Sequence, residues 1–191
     1  MEQMRLILAS ASPRRAELLR NAGFNFEVFP ADVEESPRAG EPADAYTRRV
    51  ALDKARHARA RISDPSAAVI AADTEVVAGG RILGKPPGDA DAAEMLRLLS
   101  AAAHHVLTAV VISANGQEFA EVVTTRVWFA PMSDEEIDWY VATGEPRGKA
   151  GGYAIQGHGA RFIERIDGSW SNVVGLPIHT VHRMLARAQP R

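Results

Sequence analysis

LILASASPRRAELL, residues 6–19, carries an apolar strand through a run of small residues directly into a helix, and the rest of the chain is arranged around that junction. Leu6 to Leu8 are too short a run for a helix of their own and predict a buried strand. Ser12 is a favourable N-cap, and Pro13 loses nothing at the first helical position because the N–H it lacks would be unpaired there. The helix should run to about Ala22 and stop at Gly23. Arg14 and Arg15 fall in its first turn, where the helix dipole already carries partial positive charge and each cation costs about 0.3–1 kcal/mol. An anion reverses that sign. Free N–H groups, the hydroxyls of Ser10 and Ser12 and two guanidiniums form a candidate phosphate receptor, the alternative being a solvated basic turn.

The chain of 191 residues, 46% hydrophobic, is long enough for a full core. A net charge of −2 without a long basic run argues against coating nucleic acid but leaves room for one small anionic ligand. There is no cysteine, hence neither a disulfide framework nor a thiol nucleophile. The apolar stretch from Leu6 to Ala9 is far shorter than a signal-peptide core or a membrane span, so the expectation is a cytoplasmic protein without a membrane partner. Of 22 basic residues 19 are Arg, and the three lysines, Lys54, Lys85 and Lys149, are candidates for sites that need a compact point charge.

Further along, residues 24–29 (FNFEVF) alternate as a strand, and a polar loop over 30–42 carries Glu34 and Glu35. Residues 42–62 predict a helix on which Tyr46, Val50 and Lys54 share the buried stripe, so Lys54 either snorkels or points into a cleft. A buried strand over 67–72 ends on Asp73-Thr74, and a carboxylate at that position requires a cation, a metal or a hydrogen-bond network; residues 75–78 continue extended, Gly79-Gly80 reads as a two-residue hairpin turn, and residues 81–83 return. GGRILGK, residues 79–85, fits the start of a P-loop, but Pro86-Pro87 removes both the hydroxyl and the helix that a P-loop needs. Asp89 or Asp91 should cap the next helix. Strands over 106–112 and 118–129 flank an Asn115-Gly116 hairpin, and Ser133 with Glu136 forms a capping box. The stretch 145–159 holds five glycines and Lys149, either a backbone brought close to a ligand or a flexible surface loop. A strand over 161–166 and a C-terminal helix follow. His179 and His182 lack the company a metal pair would need.

LILASASPRRAELL, VEES with ALDKA, VIAADTEVV, ILGKP, MLRLLS with HHVLTAV, and KAGGYAIQG with NVVGLP resemble, in the same order, the motifs of the Maf family of nucleoside triphosphate pyrophosphatases. The resemblance spans nearly the whole chain. It implies an α/β fold like that of the inosine triphosphatase group: an elongated mixed sheet with flanking helices, one domain over residues 1–191 with two lobes around a nucleotide cleft. It also implies a divalent cation, Mg²⁺ or Mn²⁺, a homodimer, and hydrolysis between the α- and β-phosphates. On these motifs Asp73 matches the general base, and Ser10, Arg15, Glu35, Lys54 and Lys85 match positions tied to phosphate or metal; the residue types then assign catalysis to Asp73 with Lys54 and Lys85, phosphate binding to Ser10, Ser12 and Arg15, and the metal to Glu35 with Asp73. A nucleotide-binding regulator of cell division and septum formation is the alternative activity. Ala101 and Ala154 stand where the family usually has Gly, and Gly148 where it often has Asp.

Family members resembling this chain divide into a type acting on dTTP and UTP and a type acting on 7-methyl-GTP. Arg14, Thr74 and Gln156 are the combination of the first. The chemistry agrees, because uracil and thymine present an N3–H donor between two carbonyls, and a Gln amide can accept from one and donate to the other.

Overall fold

The computed structural model describes residues 4–188. Its strands are β1 (Leu6–Leu8), β2 (Glu27–Val28), β3 (Ala68–Ala78), β4 (Arg81–Leu83), β5 (Ala103–Ala114), β6 (Gln117–Phe129) and β7 (Ile163–Asp167). Its helices are α1 (Pro13–Asn21), α2 (Ala43–Arg59), α3 (Asp89–Leu99), α4 (Asp134–Ala142), α5 (Trp170–Val174) and α6 (Ile178–Ala188), with 3₁₀ turns at Ala150–Gly152 and His158–Phe162. The fold is mixed α/β, as expected: a seven-stranded sheet ordered β2-β1-β3-β5-β6-β7, with β4 also on β3. β1 runs parallel to β2 and β3, whereas the β3-β4 and β6-β7 pairs are antiparallel.

Local signals are realised where side chains close to each other in sequence satisfy the backbone. Ser12 Oγ accepts from Arg15 N at 3.5 Å and opens α1. Ser133 and Glu136 form the reciprocal capping box of α4. Asn115 and Gly116 take φ of 52° and 73°, the doubly left-handed geometry of a tight hairpin. Ala101, where the family resemblance leads one to expect Gly, stands at φ 55°, a conformation strained for a residue with a Cβ.

Other expectations give way to tertiary structure. Of the 24–29 stretch, Glu27 and Val28 form the strand, both exposed and paired with β1 at the edge of the sheet. α2 stops at Arg59, whose guanidinium bonds the carbonyls of Ile62 and Ala67 and so turns the chain. Neither Asp89 nor Asp91 caps α3: Gly88 is the N-cap without a side-chain bond, and Asp89 pairs instead with Arg147. β3 runs unbroken from Ala68 to Ala78, joining the strand expected over 67–72 to the extended stretch expected over 75–78, so Asp73 is a mid-strand residue. α5 has no counterpart among the elements expected from sequence; Ser169 Oγ accepts from Asn172 N at its start.

The chain divides into two compact units whose boundaries fall within β3, β5 and β6 and after α5. The first comprises the residues up to Asp73, Thr108–Val123 and those from Gly175 onward. Its core sets Ala51, Ala55 and Ala58 of α2 with Val69 and Ala71 of β3 and Ala109 and Val111 of β5. Alanines on the helix bring its axis close to the sheet. The second unit, Thr74–Leu107 and Thr124–Val174, is built on larger side chains, among them Leu96, Leu99, Phe129, Tyr140, Tyr153 and Phe162, with α3 packed against α4.

Candidate active site

In the first unit, α2 presents Lys54 from its buried stripe, one turn beyond Val50 and two beyond Tyr46, and its stem is shut off from water. The ammonium lies 2.8 Å from Asp73 Oδ1 and 2.5 Å from Glu35 Oε1. The side chains of Lys54 and Asp73 keep 8% and 7% of their exposure, against 37% for Glu35, so the cation bridges one interior carboxylate and one at the surface. Asp73 Oδ2 is buried without a hydrogen-bond partner. One positive charge thus faces two negative ones, and an acceptor withdrawn from water is left unused. Such an oxygen costs about 1–3 kcal/mol, which favours a water or a cation arriving there.

The Glu35 loop is fixed from α2. Tyr46 Oη donates to Glu35 O at 2.9 Å, Arg49 Nη2 donates to Ser36 O at 3.0 Å, and Arg49 also forks onto Glu41. That fork, with the N–H of Arg38, holds the Glu41 carboxyl down at about 2. In sequence Tyr46 counts only as part of the apolar stripe. Its spacing of eight residues from Lys54 is the available clue that one helix face carries both the cation and the anchor of its carboxylate partner.

At the start of α1, Ser10 and Arg15 are both buried. Arg15 Nη1 donates to Ser10 Oγ at 3.1 Å and its Nε to Gly175 O at 2.8 Å, while Ser12 N donates to the same Ser10 oxygen at 3.2 Å. The guanidinium therefore ties the β1–α1 loop to the backbone at Gly175. Arg14, half-buried in the same turn, has its pKa lowered by desolvation. Ser12 is half-buried.

Thr74, Lys85 and Gln156 belong to the second unit. Thr74 is half-buried on β3, Lys85 is exposed beyond β4, and Gln156 is exposed in the turn before the 158–162 3₁₀ segment. Glu75, which no sequence signal singles out, is 9% exposed and shares a face of β3 with Asp73 by the two-residue period of the strand. His179 and His182 are both exposed on α6.

Among the described residues no group of three His, Asp or Glu side chains is arranged to hold a metal. Glu35 and Asp73 nonetheless fit a divalent cation that keeps several waters or takes phosphate oxygens, because such an ion asks the protein for only one or two carboxylates. The unpartnered Asp73 Oδ2 is the observation that supports the fit.

The model of the Maf-like protein family matches residues 5–188. The dTTP/UTP pyrophosphatase of Anaeromyxobacter dehalogenans (strain 2CP-1 / ATCC BAA-258) is 53% identical over 188 residues, covering 96% of this chain and 94% of that protein. The dTTP/UTP pyrophosphatases of Koribacter versatilis (52%, covering 97% and 95%) and Geobacter sulfurreducens (48%, covering 98% of each) are similar over the same extent. Among solved structures, the Ham1 protein of Staphylococcus aureus is 17% identical, with a TM-score of 0.46 over 66% of this chain and 72% of that one.

Proposed function

The chain belongs to the Maf family, and from that premise we propose that it hydrolyses dTTP and UTP to the nucleoside monophosphate and pyrophosphate. The observation that carries the reading is the Glu35–Lys54–Asp73 cluster, a buried cation held between two carboxylates with one carboxylate oxygen unspent. Relatives about half identical over nearly their whole length bear the same activity in their names.

Cleavage of a phosphoanhydride asks a protein mainly for charge neutralisation and an oriented water. In this reading Asp73 Oδ2 accepts a hydrogen bond, and then the proton, from the attacking water, while Lys54 holds Oδ1 so that the second oxygen keeps a fixed direction. Lys85 and the first turn of α1, with Ser10, Ser12 and Arg15, balance the phosphate charge. Glu35 and Asp73 would hold Mg²⁺ or Mn²⁺, which when bound supplies Lewis-acid polarisation of the phosphoryl oxygens. Arg14, Thr74 and Gln156 read the base. The protein acts in the cytoplasm as a homodimer, with no nucleic-acid or membrane partner; no helix among the described residues is long and apolar enough to cross a membrane.

The test is pyrophosphate release from a nucleotide panel, with the cation supplied and with it chelated. The expected result is monophosphate and pyrophosphate from dTTP and UTP, CTP turned over at least about tenfold more slowly because its N3 and 4-amino group invert the donor pattern, and loss of turnover on chelation. Preference for 7-methyl-GTP, or equal rates on UTP and CTP, would remove Arg14, Thr74 and Gln156 as the base reader.

A further inference from the structure

Gln156 is exposed in a turn whose backbone is held from outside it, the His158 ring also packing edge-on against Trp139. What fixes the turn is a carboxylate and a phenol in the same unit. Tyr140, wholly buried on α4, accepts from Ala154 N at 3.1 Å and donates to Glu145 Oε1 at 2.7 Å. The Glu145 carboxylate then takes the first two N–H groups of the 3₁₀ turn, with His158 N at 2.8 Å from Oε2 and Gly159 N at 3.0 Å from Oε1. Both ends of the five-residue path 154–158 are held by this one pair, and Gln156 is its midpoint.

The fit leaves no slack. A Cβ at Gly157 would land on the Glu145 carboxylate, and one at Gly159 would meet Ala154 O and Tyr140 Oη, each at 2.7 Å. The electrostatics agree with a carboxylate that stays ionised to hold these donors. Burial works against its charge, but the N–H groups of Gly159 and His158 and the Tyr140 hydroxyl outweigh it and hold the carboxyl below the usual range. Two glycines of the glycine-rich stretch are therefore there to let the backbone close on Glu145, so the stretch is built and not merely flexible.

We infer that Glu145, with Tyr140, is a positioning residue for base discrimination, holding the 154–159 turn so that the residue at its tip meets the pyrimidine edge in one orientation. The inference rests on the proposed reading of Gln156 but does not require that Gln156 be the tip residue that acts. Glu145→Gln keeps the shape of the side chain while setting an NH₂ group against a backbone N–H, which opens one end of the turn.

The experiment measures kcat and KM for UTP and CTP in the wild type, Glu145→Gln, Gln156→Ala and the double variant, with Tyr140→Phe as a second way of loosening the same turn. Expected for Glu145→Gln is a loss of about tenfold in UTP-over-CTP discrimination, carried mainly by a rise in KM for UTP, and no further loss when it is added to Gln156→Ala. Tyr140→Phe shifts discrimination the same way by a smaller factor. If Gln156→Ala leaves discrimination intact while Glu145→Gln lowers it, the reading of Gln156 falls and the positioning role stands, exercised through another residue of the turn. If Glu145→Gln and Tyr140→Phe leave discrimination unchanged, whatever happens to melting temperature, the inference is overturned.

Discussion

Asp73 and Glu145 are both carboxylates drawn away from water, but their acceptors are used in opposite ways. Glu145 spends both oxygens on two backbone N–H groups and a phenol, all between residues 140 and 159. Asp73 has one oxygen on Lys54 and the other on nothing. A saturated carboxylate stabilises a conformation and has little left for a substrate, whereas an unsaturated one costs stability and keeps its basic oxygen available. The difference separates the group that fixes a loop from the group that can take a proton.

The sharpest break comes from Asp73→Asn, which keeps the shape but removes the basic oxygen. Turnover should fall about 10³-fold with the circular dichroism spectrum unchanged, the loss expected of a missing general base; a rate near that of the wild type would make the unspent oxygen incidental. Next in size is Lys54→Met. With the cation gone, Asp73 is an uncompensated buried charge, and stability should drop by about 4 kcal/mol, seen as a melting temperature lower by roughly 10 °C. Adding Asp73→Asn to Lys54→Met should restore most of that stability and none of the activity, so the two functions of the pair come apart.

His104 shows that an unpartnered buried atom alone does not signal chemistry. Its Nδ1 lacks a partner, yet Nε2 lies 2.8 Å from Tyr153 Oη and the ring packs edge-on against Phe129 and Tyr153 with no carboxylate in the cluster. Burial, with a smaller push from His105, lowers its pKa to about 4. The unfolded chain, with an ordinary value of about 6.5, binds the proton first, so stability is full above that pH and is lost as pH falls toward 4, by up to about 3 kcal/mol. In urea titrations, the stability lost between pH 6.5 and pH 4 should be greater in the wild type than in His104→Gln by about that amount. Activity at neutral pH should be unaffected by the substitution.

The start and stop of α1, the Asn115-Gly116 hairpin and the capping box of α4 are legible in sequence, because each depends on groups within four residues of one another. Lys54 is legible as a buried cation from its place on the apolar stripe of α2. Legibility fades with distance along the chain. That Lys54 meets Asp73, 19 residues away, or that Tyr46 carries the backbone of Glu35, follows only from how α2 lies on β3 and on the loop before it.

What the sequence determined by itself is the inventory and its order: three lysines among nineteen arginines, an acidic residue following an apolar run, a glycine-rich stretch, and motifs long enough to place the chain in its family. What only the tertiary structure decided is which polar atoms are spent. Arg15 is tied to Ser10 and Gly175 O, Asp89 goes to Arg147 in place of capping α3, and Glu145, without a sequence signal of its own, closes the turn that carries Gln156. The physical reason is that a side chain's donors and acceptors are fixed by its type, but whether they are satisfied depends on partners that folding brings from as far as 160 residues away.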